Sequence, residues 1–243
     1  MTTIMAAHDS IIKTDWTLPL SVDQVIWSQG ADPAVMRSRR PKILRIAEDI
    51  VAQEVQHLRP ALLYRRIPVA GFSHDRLELA DGSVLKGDVI GKHLAAADEV
   101  IIAVYTIGPA LDDRLAEVMP DCLPCALALD AMGTAAVDEL GRQVQDIFKE
   151  IAQAEKKNLS MCFSPGMIGW ALDEGQSQIF SMLDAGRIGV TVAETGRMTP
   201  RKTISSVFGL GSRLSEEAVS PCEFCAVRDT CAYRGRHEEF DKV

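Results

Sequence analysis

Cys222, Cys225 and Cys231 stand within ten residues of one another near the end of the chain, in "SPCEFCAVRDTCAYRGR". The spacing of the first two lets a pair of thiolates reach one metal from a single turn, and Cys231 can close a third side. A tetrahedral zinc site or a [4Fe–4S] cluster asks for a fourth ligand. Two candidates are Cys162, just before the turn Ser164-Pro165-Gly166, and His237, which suits zinc. An iron–sulfur cluster, a zinc ion and reduced thiols that bind nothing are three readings of the same pattern. A three-cysteine cluster with one iron open to a small molecule is a variant of the first.

A second pair, Cys122 and Cys125 in "DCLPCA", falls at the start of a helical pattern, where the helix N-terminus favours a thiolate. A thioredoxin-type redox motif also requires a βαβ frame, and none is visible around it. Cys125, Ala126 and Leu127 therefore read as helix core. In "CFSPGMIGW", Pro165-Gly166 is a tight-turn dipeptide that either brings backbone close to a ligand or simply joins two helices. Arg201 and Lys202 in "MTPRKTISS" are candidates for holding an anion such as a phosphate or carboxylate, or else mark a polar strand entrance. "FGLGSRL" lacks the third glycine of a dinucleotide fingerprint. The five histidines are scattered, and Asp138 and Glu139 read as solvated.

The elements that must position these residues are readable in outline. "PLSVDQVIWSQG" carries a capping box, Ser21 with Gln24, and Gly30 suits the position after the last turn. Residues 42–57 place Ile43, Ile46, Ala47, Ile50 and Val51 at helical spacing. "ALLYRRIPVAGF" predicts a strand, and "RLELADGSVLKGD" a hairpin turning at Asp81-Gly82. "DEVIIAVYTIG" predicts a buried strand, followed by a helix over "PALDDRLAEVM" with Pro109 in its first turn. Residues 123–153 predict a long helix whose Gly133, Ala135 and Ala136 allow close packing. A further helix follows over "LDEGQSQIFSMLDAG", then strands over "RIGVTVAET" and "KTISSVFGLG". Strands and helices mix without regular alternation, which favours α+β.

With 243 residues, 47% of them hydrophobic, the chain has enough material for one sizeable core. The net charge of -8 argues against nucleic acid, and the short basic runs Arg37–Arg40 and Arg65-Arg66 read as solvated faces. There is no apolar run long enough for a membrane helix and no signal-peptide pattern, so a cytoplasmic location is expected, with disulfides disfavoured.

Several segments together resemble one family. They are "YTIGPALDDRL", "LDAMGTAAVDELG", "SPGMIGWALDEGQSQIF", "IGVTVAETGRMTPRKTISSVFGLG" and "CEFCAVRDTCAYR". In this order they look like the activation domain of cobalamin-dependent methionine synthase, and more closely its free-standing members with a C-terminal cysteine cluster. The resemblance runs from about Asp98 to Arg236. It implies one α+β domain, a twisted antiparallel sheet flanked by helices. Residues 1–97 would hold N-terminal helices and a hairpin within that fold, 98–219 the activation-domain-like core, and 220–243 the cysteine-rich tail. The resemblance further implies that the domain holds S-adenosylmethionine over the cobalamin of a partner while Co(II) is reductively methylated.

The pattern departs at three positions. The family's arginine before the turn, tyrosine after it and glutamate on the long helix correspond to Cys162, Met167 and Thr134. Ser164, Pro165 and Gly166 keep only backbone groups to offer, which counts against S-adenosylmethionine. The change at Cys162 also supplies the thiol that the tail lacks, so the expected metal set is Cys162, Cys222, Cys225 and Cys231. The reading that follows is an accessory protein that reactivates or services a corrinoid-dependent methyltransferase. It would act through electron transfer to Co(II) from the cluster, or through a surface that stabilises the base-off cofactor. A non-catalytic module with structural zinc, clamping cobalamin or a partner, is one alternative. An S-adenosylmethionine-dependent activator using other contacts is the second.

Overall fold

An apolar run with no polar alternation has no wet face, so it forms a strand only where both sides of a sheet are covered. Residues Glu99–Thr106 behave in this way, every position from Val100 onward being buried. The computed structural model describes residues 10–214, 221–225 and 228–231. Strand β1 (Ile11–Lys13) precedes helices α1 (Val22–Ser28), α2 (Pro33–Arg39) and α3 (Pro41–Glu54). Strands β2 (Ala61–Ser73), β3 (Arg76–Leu79) and β4 (Val84–Lys86) lead into helix α4 (Asp88–Leu94) and β5 (Glu99–Thr106). Helices α5 (Ala110–Val118) and α6 (Leu123–Ala154) come next, then β6 (Asn158–Leu159) and α7 (Leu172–Met182). A small hairpin of β7 (Thr191–Val192) and β8 (Met198–Thr199) leads to β9 (Thr203–Gly211).

The main sheet has the order β4-β3-β2-β5-β9-β6, with β1 also paired to β2, and each of these pairings is antiparallel. Strand β2 changes partners along its length. Its first half pairs with β1 and β5, and its last residues pair with β3 beyond a register shift between Val69 and Gly71. Such irregularities bend a strand and increase its twist, which curls the sheet. The result is α+β, a twisted antiparallel sheet with helices on both faces. One face carries Leu62, Tyr64, Ile101, Ala103, Tyr105 and Phe208 against the helices α1, α3, α5 and α6. The alternate residues Leu63, Val100, Ile102, Val104 and Val207 share the other core with residues of α4 and α7.

Local signals place most elements. Ser21 and Gln24 form the expected capping box, and Gly30 and Gly82 adopt φ of +77° and +84° after α1 and in the hairpin. Three expectations need correction. Where a strand was expected over 187–195, a 3-10 turn (Ala185–Ile188) is closed by Gly189 in the left-handed region, leaving only the two residues of β7. Glu139 is not solvated: it is 5% exposed on α6, accepting hydrogen bonds from Arg142 and Gln143.

The Arg65-Arg66 run is not a solvated face either. Arg65 pairs with Asp81 at 2.9 Å, while Arg66 bridges Glu99 at 2.7 Å and Glu155 at 2.7 Å. Lys157 joins the same carboxylates and, with Arg66, holds the Glu155 carboxyl down at about 2. This network ties the C-terminal end of α6 to the sheet. Arg37 of the other run pairs with Asp23. Among the described residues no helix is long and apolar enough to cross a membrane.

Candidate functional site: the Ser164–Leu172 turn and the Cys162 pocket

The segment after α6 is not a plain helix-to-helix link. Strand β6 pairs with the end of β9, and Phe163 bridges to Val207, so the chain is stitched to the sheet edge before it turns outward. Gly166, at φ +96°, and Gly169, at φ +87°, make the turn. Trp170 is 2% exposed and anchors it. Helix α7 approaches so closely that a Cβ on Gly175 would lie 2.8 Å from the Trp170 ring and 2.9 Å from Pro165. The tip is apolar and faces solvent, with Ile168 57% and Leu172 46% exposed.

The N–H groups expected to meet a ligand are already engaged. Gly166 N–H donates to the Trp170 carbonyl at 2.9 Å, Ser164 N–H faces the Met167 sulfur at 3.5 Å, and the Ser164 carbonyl accepts from Met167 N–H. Pro165 has no N–H to offer. The turn is therefore self-contained rather than an open cradle of donors.

Cys162 lies one residue before Phe163, so its side chain points to the opposite face of the sheet, toward α6. There it meets the Ser164 hydroxyl, with Sγ···Oγ at 3.9 Å, and the Ser206 hydroxyl. Burial pushes the thiol up to about 11. Tyr105 stands beside it, also raised by burial, and its hydroxyl would be only 3.1 Å from a Cβ on Gly141 of α6. Desolvation of the thiol favours its neutral form.

The three tail cysteines lie in turns of their own. Cys222 lies in a 3-10 turn over Pro221–Phe224 with Cys225 just after it, and Cys225 N–H donates to the Cys222 carbonyl at 3.4 Å. Cys231 ends a further turn, and none of Cys162, Cys222, Cys225 and Cys231 is disulfide-bonded. Among the described residues, no three His, Cys, Asp or Glu side chains converge in a way that holds a metal ion. Cys162 packs on the α6 side of the sheet beside Ser164. His237 lies outside the described residues.

Lys202 is engaged as well. Its Nζ contacts Asp130 at 3.0 Å and donates to Thr134 Oγ1 at 2.8 Å, and it passes Gly133 so closely that a Cβ there would lie 3.1 Å from it. Arg201 offers its backbone N–H to Asp112 at 2.8 Å, and its side chain is exposed. The pair follows a cis Thr199-Pro200 bond. The anion reading is left with Arg201 alone. At the other pair of cysteines, the helix-core reading fails for Leu127, which is 57% exposed, while Cys125 packs against the core and Ala126 is buried. Cys122 and Cys125 are joined in a disulfide and half-buried.

Sequence reasoning missed the partners of Cys162. Tyr105 ends an apolar run, Ser206 sits in the Ser205-Ser206 step of β9, and Gly141 is a small residue inside α6. Strand alternation from Phe163 would have placed Cys162 on the α6 face had its bridge to Val207 been known.

The curled antiparallel sheet covered by helices on both faces is a fold that this chain shares with a solved structure. That structure is the crystal structure of the MetH reactivation domain bound to AdoHcy, one of several solved chains it is similar to. The likeness has a TM-score of 0.64 at 11% identity and covers 96% of this chain and 87% of that one. No protein-family profile and no curated protein matches the sequence.

Proposed function

We propose that this chain serves a corrinoid-dependent methyltransferase as a reactivation partner, docking over the corrinoid with the Ser164–Leu172 turn. The observation that carries the reading is that turn: an apolar tip, Ile168 and Leu172, held out on a rigid base within the fold shared with the MetH reactivation domain. Exposed apolar residues on an anchored loop suit a flat, largely apolar partner surface. The order of the sequence segments that resemble methionine synthase activation domains supports the same reading.

A second reading, S-adenosylmethionine-dependent reductive methylation, is favoured by the AdoHcy held by the structural neighbour. In this chain Met167 and Cys162 stand where that family binds through side chains, Thr134 is engaged by Lys202, and the turn's N–H groups are used internally. We expect weak or no binding of S-adenosylhomocysteine. The proposed role is written without an electron-transfer step through a cluster.

The test is calorimetric titration of this chain into a cobalamin-binding methyltransferase fragment held as cob(II)alamin. Association in the micromolar range is expected, roughly -8 kcal/mol. Ile168→Glu and Leu172→Glu should weaken it by about tenfold or more. Absence of heat with the unmodified chain would remove the docking claim. Tight S-adenosylhomocysteine binding would favour the second reading.

A further inference from the structure

We propose that the Cys122–Cys125 disulfide is a thiol–disulfide exchange site that takes its electrons from a dithiol protein docking on the start of α6. It is independent of the corrinoid reading. The bond joins cysteines three apart, with Cα atoms 5.2 Å from each other. A cross-link over so short a loop removes little freedom from the unfolded chain, so stability is a poor reason for it. α6 is also anchored without it, through its buried face and the Glu155 network at its far end.

Exposure and local field both suit exchange. Both cysteines are half-buried rather than enclosed. Cys122 is the N-cap of a 32-residue helix, and its sulfur accepts a hydrogen bond from Cys125 N–H at 3.3 Å. A thiolate released at Cys122 would keep that bond and the favourable helix N-terminus, with the neighbouring Asp121 carboxylate opposing it. Cys162, equally half-buried by area, has neither a helix N-terminus nor a neighbouring cysteine beside it.

The surface around the pair is apolar. Met119 is 51%, Leu123 61% and Leu127 57% exposed. Leu123 and Leu127, four apart, share one face of the helix. Apolar residues around a reactive disulfide are what a protein dithiol needs to seat its own sulfur, since exchange passes through a mixed disulfide with both chains in contact. In the reaction, a partner thiolate attacks one sulfur of the pair and expels the other as a thiolate. The partner's second thiolate then attacks the mixed disulfide and expels the remaining sulfur. Two electrons and, overall, two protons pass to Cys122 and Cys125, and the partner leaves as a disulfide.

The experiment uses the full chain purified in air, reduced thioredoxin as the protein dithiol and dithiothreitol as the small one. The cysteines are counted by alkylation and mass mapping through the reaction. Thioredoxin should reduce Cys122–Cys125 in the unmodified chain about tenfold faster than in Leu123→Glu or Leu127→Glu. Dithiothreitol should reduce all three at one rate, and thermal melts should confirm that the variants fold. Equal rates with thioredoxin across the three chains, or a disulfide open to dithiothreitol and closed to thioredoxin, would overturn the proposal.

Discussion

The start of α6 and the Cys162 pocket each hold cysteine close to the sheet-and-helix core, and they treat it in opposite ways. At α6, one turn of backbone brings Cys122 and Cys125 together, and the sulfurs lie half-exposed at a helix N-terminus. At the sheet edge, Cys162 is turned inward by its bridge neighbour Phe163, packs against the α6-side core and meets the Ser164 hydroxyl, with Tyr105 beside it. Two thiols on one turn are joined by local geometry, whereas thiols far apart in sequence meet only if the whole fold aims them at each other. The fold aims Cys162 at α6 instead.

The sharpest way to break this contrast is to place the same charge in both regions. Cys162→Asp would bury a carboxylate among groups that cannot neutralise it, and we expect a loss of about 3 kcal/mol or more in urea unfolding. Cys122→Asp puts a favoured residue at an N-cap, so against the reduced unmodified chain it should change stability by less than about 0.5 kcal/mol. Equal losses at both positions would mean that the two environments do not differ as described.

A smaller effect comes from pH. The Cys162 thiol is raised from 9.0 to about 11 by desolvation, so the folded state favours the neutral form. Its contribution to stability is therefore complete below pH 9 and is lost as the pH climbs from 9 toward 11. The loss is about 1 kcal/mol, discounted because the residue is only half-buried by area. Cys162→Ala should flatten that part of the stability curve, and alkylation of Cys162 should keep accelerating up to about pH 11. A plateau in its alkylation rate near pH 9 would show an ordinary exposed thiol.

Much of the fold was legible because its signals are local. The apolar run of β5 predicts a strand covered on both faces, the Asp81-Gly82 step predicts the hairpin, and Ser21 with Gln24 fixes the start of α1. What was not legible is short or distant. Strand β1 has three residues and helices α2 and α4 seven each, too few for periodicity to show. The expected strand after α7 was cut short by Gly189, whose left-handed backbone the apolar pattern does not reveal. The site was less legible still. The resemblance located the Ser164–Gly166 turn, but the engagement of its N–H groups, the Lys202 pairing with Asp130 and Thr134, and the hydroxyls around Cys162 all depend on contacts between distant segments. The disulfide at the start of α6 overturns the expectation that disulfides are disfavoured, although the pair and the helix start were both visible in the sequence. The exposure of Leu123 and Leu127 was not, because an apolar residue on a helix reads as core until its face is known.

The role on a corrinoid partner is tested most directly by the rate at which methylcobalamin returns in a corrinoid-dependent methyltransferase trapped as cob(II)alamin. The reaction is supplied with a low-potential reductant and a methyl donor and followed by the visible spectrum of the cofactor. We predict that adding this chain raises the rate by about tenfold or more, and that Ile168→Glu with Leu172→Glu abolishes the gain while the fold persists. An unchanged rate with the intact chain, or a gain that survives both substitutions, would contradict that role.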